Sequence, residues 1–102
     1  LDTLKPRHRR EQVAHYLLML DIRINYLLFR DIEARYQSSS CDRAQAAGLV
    51  RELRTLLDEA RTLDRRFARL NAGYLKKPEI DYVNRMRSLK MRSLYERLKN
   101  IR

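Results

Sequence analysis

Arg85, Arg92 and Lys99 stand seven residues apart near the end of the chain, with Lys76 and Lys77 a little upstream. On a helix seven residues advance about 10 Å with little net rotation, so these cations would form one stripe along one side. Such a row can track the phosphates of a nucleic acid, meet the carboxylates of an acidic protein, or simply be a solvated outer face. Glu96 is the one acid beside it. Arg61, Arg65 and Arg69 follow one another at i,i+4, where like charges repel mildly and only Asp58 and Asp64 offset them. Arg7-His8-Arg9-Arg10 is a third basic cluster. The sequence carries no helix-turn-helix spacing, RRM motif or zinc-finger pattern, so nucleic-acid binding would be directed at the backbone.

Catalytic and metal chemistry find little to work with. His8 and His15 share a helix face with Glu11 between them, but two turns, about 10 Å, separate them, too far for one ion. Cys41 follows three serines and reads either as a reactive thiol or as an incidental loop residue. Leu20-Asp21 with Ile24, Leu27 and Leu28 resembles the first-helix pattern of the AroQ-type chorismate mutases, small helical enzymes that bind a dicarboxylate through spaced Arg and Lys. The lysine that family carries roughly three turns on is missing here, because the serine run occupies that place. Leu75-Lys76-Lys77 and Leu94-Tyr95 with Arg97-Leu98-Lys99 look somewhat like the last helices of TFIIS N-terminal-type domains. That resemblance implies docking of short peptides from transcription factors. The residues therefore favour a chain that is not an enzyme, with no cofactor and no evident small-molecule substrate.

The totals set the frame for these residues. In 102 residues there are 23 Lys+Arg against 13 Asp+Glu, a net charge of +10, with one Cys, two Gly and two Pro. One cysteine rules out an internal disulfide framework, and so few turn-formers disfavour many short strands. The apolar share, 44%, is too high for a disordered chain. Charge is uneven: residues 13–36 are neutral overall, whereas residues 74–102 hold nine basic against three acidic residues. The richest apolar stretch, Val13 to Phe29, is interrupted by His15, Asp21, Arg23 and Asn25, so it does not read as a membrane span. The chain starts at Leu1, as a piece of a longer protein would, and the reading expects an intracellular location, cytoplasmic or nuclear.

Two breaks, Gln37 to Asp42 and Asn71 to Gly73, divide the chain into three helical pieces of one domain spanning residues 1–102: about 6–36, 42–72 and 78–101. In the first, Val13, Leu17, Leu20, Ile24 and Leu27 make one seam. Leu18, Ile22, Asn25, Phe29, Ile32 and Tyr36 make a second beside it, so this helix should touch two partners. Alternation from Leu20 to Tyr26 also fits a strand, but the flanks favour helix. Asn25 would either fix register from a buried position or point to solvent at the seam edge. The second piece runs an unbroken heptad series from Ala46 through Leu49, Leu53, Leu56, Ala60, Leu63 and Phe67 to Leu70. Ser40 or Asp42 could cap it, with Gln45 completing a capping box, and Gly73 would supply a left-handed residue after its end. In the third piece Ile80, Val83, Met91, Leu94, Leu98 and Ile101 share a face with Arg87, whose guanidinium must reach the rim or an acidic partner.

The expected fold is all-α: an antiparallel up-down-up three-helix bundle of long helices, or a helical hairpin completed by dimerisation. The expected function is a non-catalytic protein-interaction or assembly module with a basic rim. Tyr82, Met86 and Leu89, on a side of the third helix away from its main face, form the partner seam, and self-association is one outcome. The alternative is DNA or RNA binding through Lys76, Lys77, Arg85, Arg92 and Lys99.

Overall fold

A computed structural model describes residues 6–38 and 42–101, with the side chains of residues 6–8 left aside. These residues are all-helical, with four helices and no strand: α1, Pro6–Ser38; α2, Arg43–Asn71; α3, Lys77–Arg87; and α4, Leu89–Lys99. No described helix is long and apolar enough to cross a membrane. Cys41 and Ser40 lie outside the described residues.

The third piece is two helices rather than one. Ser88 leaves helical geometry at φ −100° and ψ 6°. Its hydroxyl donates to the Asn84 carbonyl at 3.5 Å, the kind of back-bond that bends a helix. The break falls in phase, since the Arg92 N–H bonds the Ser88 carbonyl and the apolar face carries on through Met91, Leu94 and Leu98.

Asp42 starts α2 as a complete capping box: the Gln45 N–H donates to Asp42 Oδ1 at 2.8 Å, and the Asp42 N–H donates to Gln45 Oε1. The far end differs from expectation. No described glycine has positive φ, so Gly73 is not a left-handed cap. Instead the Tyr74 and Leu75 N–H groups both donate to the Asn71 carbonyl, while Asn71 Nδ2 satisfies the Phe67 carbonyl.

α2 is the central element and packs against α1, α3 and α4. Ala46, Leu49, Leu53, Leu56 and Ala60 from α2 meet Phe29 and Ile32 of α1 and Met91, Leu94 and Leu98 of α4 in one core. Leu18, Leu53 and Leu98 are the most completely buried large side chains, each contributing about 1.5–3 kcal/mol. The molecule measures 60 × 27 × 16 Å, and its 17.1 Å radius of gyration exceeds the ~13 Å of a compact domain this size. The core sits where α4 faces the C-terminal half of α1.

That shape changes the expected role of α1. Its second seam is the buried one, through Leu18, Asn25, Phe29 and Ile32. The first seam is uncovered: Val13, Leu17, Leu20, Ile24 and Leu27 are 44–56% exposed. One helix partner, α2, therefore accounts for most of the contact that two were expected to provide.

Candidate functional site

Two grooves flank the α3–α4 junction, one polar and one apolar. The polar groove, about 620 Å³, lies between α2 and the α3–α4 pair. Arg85 and Arg92 of the predicted stripe line it, and α2 adds Arg61. Arg92 Nη2 donates to the Arg85 carbonyl at 2.8 Å, which ties the arginine across the Ser88 break. Asp64 and Glu96 sit in the same walls, so the groove is mixed rather than purely basic. Lys99 does not line it but lies beside two residues that do, 3.7 Å from Glu96 and with its ammonium 5.1 Å from the centre of the Tyr95 ring. Lys76 is exposed before the start of α3, and Lys77 lies 3.7 Å from Asp81. These two lysines are about 12 Å along the helix axis from Arg85. The structure thus brings Arg85 and Arg92 into one groove and leaves Lys76, Lys77 and Lys99 out of its lining.

Behind the polar groove lies a half-buried cluster. Arg87 Nη1 donates to Asp64 Oδ1 at 2.9 Å and to Asn84 Oδ1 at 3.0 Å, and its guanidinium stacks 4.7 Å from the Phe67 ring centre. Asn84 Nδ2 donates to the Asp64 carbonyl. The acidic partner that the position of Arg87 required is therefore Asp64. Burial raises the Asp64 carboxyl above its ordinary value despite the attraction of Arg87, and burial lowers Arg87 despite Asp64. Both shifts run against the charged forms, so desolvation outweighs the pairing. The exposed Arg35–Glu52 pair is the reverse: two parallel bonds of 2.9 Å raise Arg35 and lower Glu52.

The apolar groove, about 510 Å³, opens between α1 and the α3–α4 junction. Met86 and Leu89 of the predicted seam line it, together with Met19, Ile22, Tyr26 and Phe29 of α1. Tyr82 is exposed but does not line it. The charged residues in its walls are Arg23, Arg87 and Lys90, all basic. Arg23 and Lys90 are exposed and form no ion pair among the described residues.

Neither a protein-family model, nor a curated protein, nor a solved structure matches the chain.

Among the described residues no group of three His, Cys, Asp or Glu could hold a metal. His15 packs edge-on at 6.4 Å from Tyr74. Asp21, in the stretch that resembles the chorismate mutases, accepts from Arg66 at 2.6 Å. Sequence reasoning grouped Arg61 with Arg65 and Arg69 and did not join it to Arg85 and Arg92 in the polar groove, and it missed Met19 and Tyr26 in the apolar one. Arg61 stands four residues after Leu57 and three before Asp64, on the flank of the heptad, which is a signal only once α4 is known to lie there.

Proposed function

We propose that the chain is a non-catalytic interaction and assembly module, three helical pieces packed up-down-up around α2, that takes an acidic amphipathic helix. One observation carries this reading: an open apolar groove whose charged wall residues, Arg23, Arg87 and Lys90, are all cations. A helix with apolar residues at i, i+3, i+4 and i+7 would lay them against Met19, Tyr26, Met86 and Leu89, with its carboxylates meeting Arg23 and Lys90. Methionines suit such a groove because their unbranched thioethers adapt to different partners. The test uses two labelled amphipathic peptides with the same apolar face, one flanked by Glu and one by Lys, titrated by fluorescence anisotropy. The Glu peptide should bind at least tenfold more tightly, and Met86→Glu with Leu89→Glu should abolish binding. Equal binding of both peptides, or no loss in the double variant, would reject the reading.

Backbone-directed nucleic-acid binding is the second reading, favoured by the convergence of Arg61, Arg85 and Arg92 on one groove. Its affinity for duplex DNA, single-stranded DNA or RNA would fall steeply with salt, by about one counterion per phosphate engaged. Arg85→Glu with Arg92→Glu should weaken it on every sequence alike, and an unchanged affinity would reject it.

A further inference from the structure

We infer that α1 is also a homotypic interface: two copies of this chain pair antiparallel along the seam Val13, Leu17, Leu20, Ile24 and Leu27. This deepens the assembly half of the reading above and rests on it. The seam steps 4-3-4-3, the spacing that presents a continuous knob row to another helix, and every member is about half exposed although all five are apolar.

A second copy is the occupant that the charges select. Arg9 and Arg10 lie at the N-terminal end of the seam, exposed, and Asp31 continues its line at the C-terminal end, also exposed. Pairing in parallel sets Asp31 against Asp31 and Arg10 against Arg10. Pairing antiparallel about Ile22, so that Leu20 faces Ile24 and Leu17 faces Leu27, brings Asp31 of each chain to the Arg9–Arg10 end of the other. Asp31 already sits 3.1 Å from Arg35, an exposed pair that can admit a further cation. Residues 13–36 are neutral overall, so the surplus of +10 is not carried by the seam's own stretch, and the basic third piece meets α1 on its Met19 and Tyr26 side instead of along the seam.

The area fits a reversible dimer. Half-exposed side chains of this kind leave about 30–60 Å² of apolar surface each, or about 200–350 Å² per protomer for the seam with Leu28. That is a core for an interface below the ~800 Å² per partner of a standard complex, once its polar rim is added. The expected dissociation constant is accordingly in the range of about 10–100 μM.

The experiment is light scattering on the purified chain across that range, paired with a spin-label distance on Gln12→Cys, an exposed position outside the seam and its charges, in a Cys41→Ser background. The mass should rise from monomer to dimer, and Leu17→Glu with Ile24→Glu should hold it at monomer with unchanged helical circular dichroism. The antiparallel register places the two labels about 30 Å apart along the axis, a parallel one about 10 Å. A short distance, or a dimer that survives the double variant, would overturn the inference. A monomer that still takes the Glu-flanked peptide overturns the pairing and leaves the groove reading intact. A monomer that binds neither peptide overturns both.

Discussion

Asn25 is the place where one atom can be exchanged with a calculable result. It is 8% exposed on the α2-facing side of α1, and its Nδ2 donates to the Leu56 carbonyl at 3.1 Å. Asn25→Asp keeps the shape and replaces that donor with an oxygen. Ionised, the new carboxylate would face a carbonyl with no proton between them. The fold can escape by keeping the carboxyl neutral, since its O–H can donate to the same oxygen. The cost at pH 7 is then at most that of holding a proton on a group that releases it near pH 3.9 in the unfolded chain, about 4 kcal/mol at 1.36 kcal/mol per pH unit. The folded pKa is raised, so the carboxyl's contribution is fully present below about pH 4 and is lost as pH rises toward the folded value. Urea unfolding followed by circular dichroism should give a variant within about 1 kcal/mol of the parent at pH 4 and about 3–4 kcal/mol weaker at pH 7. Asn25→Leu, which brings no charge and leaves the Leu56 carbonyl its place in the α2 ladder, should stay within about 1 kcal/mol at both. A deficit in Asn25→Asp that is the same at both pH values would refute the burial and the bond together.

Two further changes follow from the same packing. Gly48 lies inside α2, where an added Cβ meets no atom within 4 Å, so Gly48→Ala should stabilise by about 0.5–1 kcal/mol and raise Tm by a few degrees; a lower Tm would show that the site is not open. Arg87→Met strands the half-buried Asp64 and should cost about 1–3 kcal/mol, while adding Asp64→Leu should recover most of it, because desolvation already outweighs the pairing. Because the Asp64 carboxyl is already raised, stability from this group is greatest below its ordinary pKa and falls as pH climbs through the folded one. The single variant's deficit should therefore be larger at pH 7 than near pH 4 in urea melts, and a pH-independent deficit would contradict that sign.

How much of this was readable from sequence depends on whether period alone decides. It does for α2, where one unbroken stripe buries Ala46 through Leu63 and the opposite side is polar. It also does for the Asp42–Gln45 capping box, a local bond that needs nothing distant. It cannot choose between the two seams of α1, because both repeat with the same step. The purer seam, Val13 to Leu27, is the exposed one, and the seam interrupted by Asn25 is buried, because Asn25 has the Leu56 carbonyl to meet and Phe29 and Ile32 have α4. The Ser88 break was hidden because Met91, Leu94 and Leu98 resume the face in phase. Spacing alone puts Arg85, Arg92 and Lys99 in one row, but it is silent on the Ser88 break between Arg85 and Arg92 and on Glu96 and Tyr95, the groove-wall residues beside which Lys99 lies.

The two charged readings and the self-pairing then separate by the sign of a salt effect. Two copies of a +10 chain repel at long range, although the seam that joins them is neutral overall. Added salt shortens that repulsion, with a screening length of about 10 Å at 0.1 M, while leaving apolar contact along Leu17, Leu20 and Ile24 almost untouched. Self-association through α1 should therefore strengthen modestly as salt rises from low values. Polyanion binding at Arg61, Arg85 and Arg92 must weaken, because its driving force is counterion release, and so must capture of an acidic helix by Arg23 and Lys90, though less steeply. A dimer that dissociates with added salt would place its contacts on the charged groups rather than on the apolar seam.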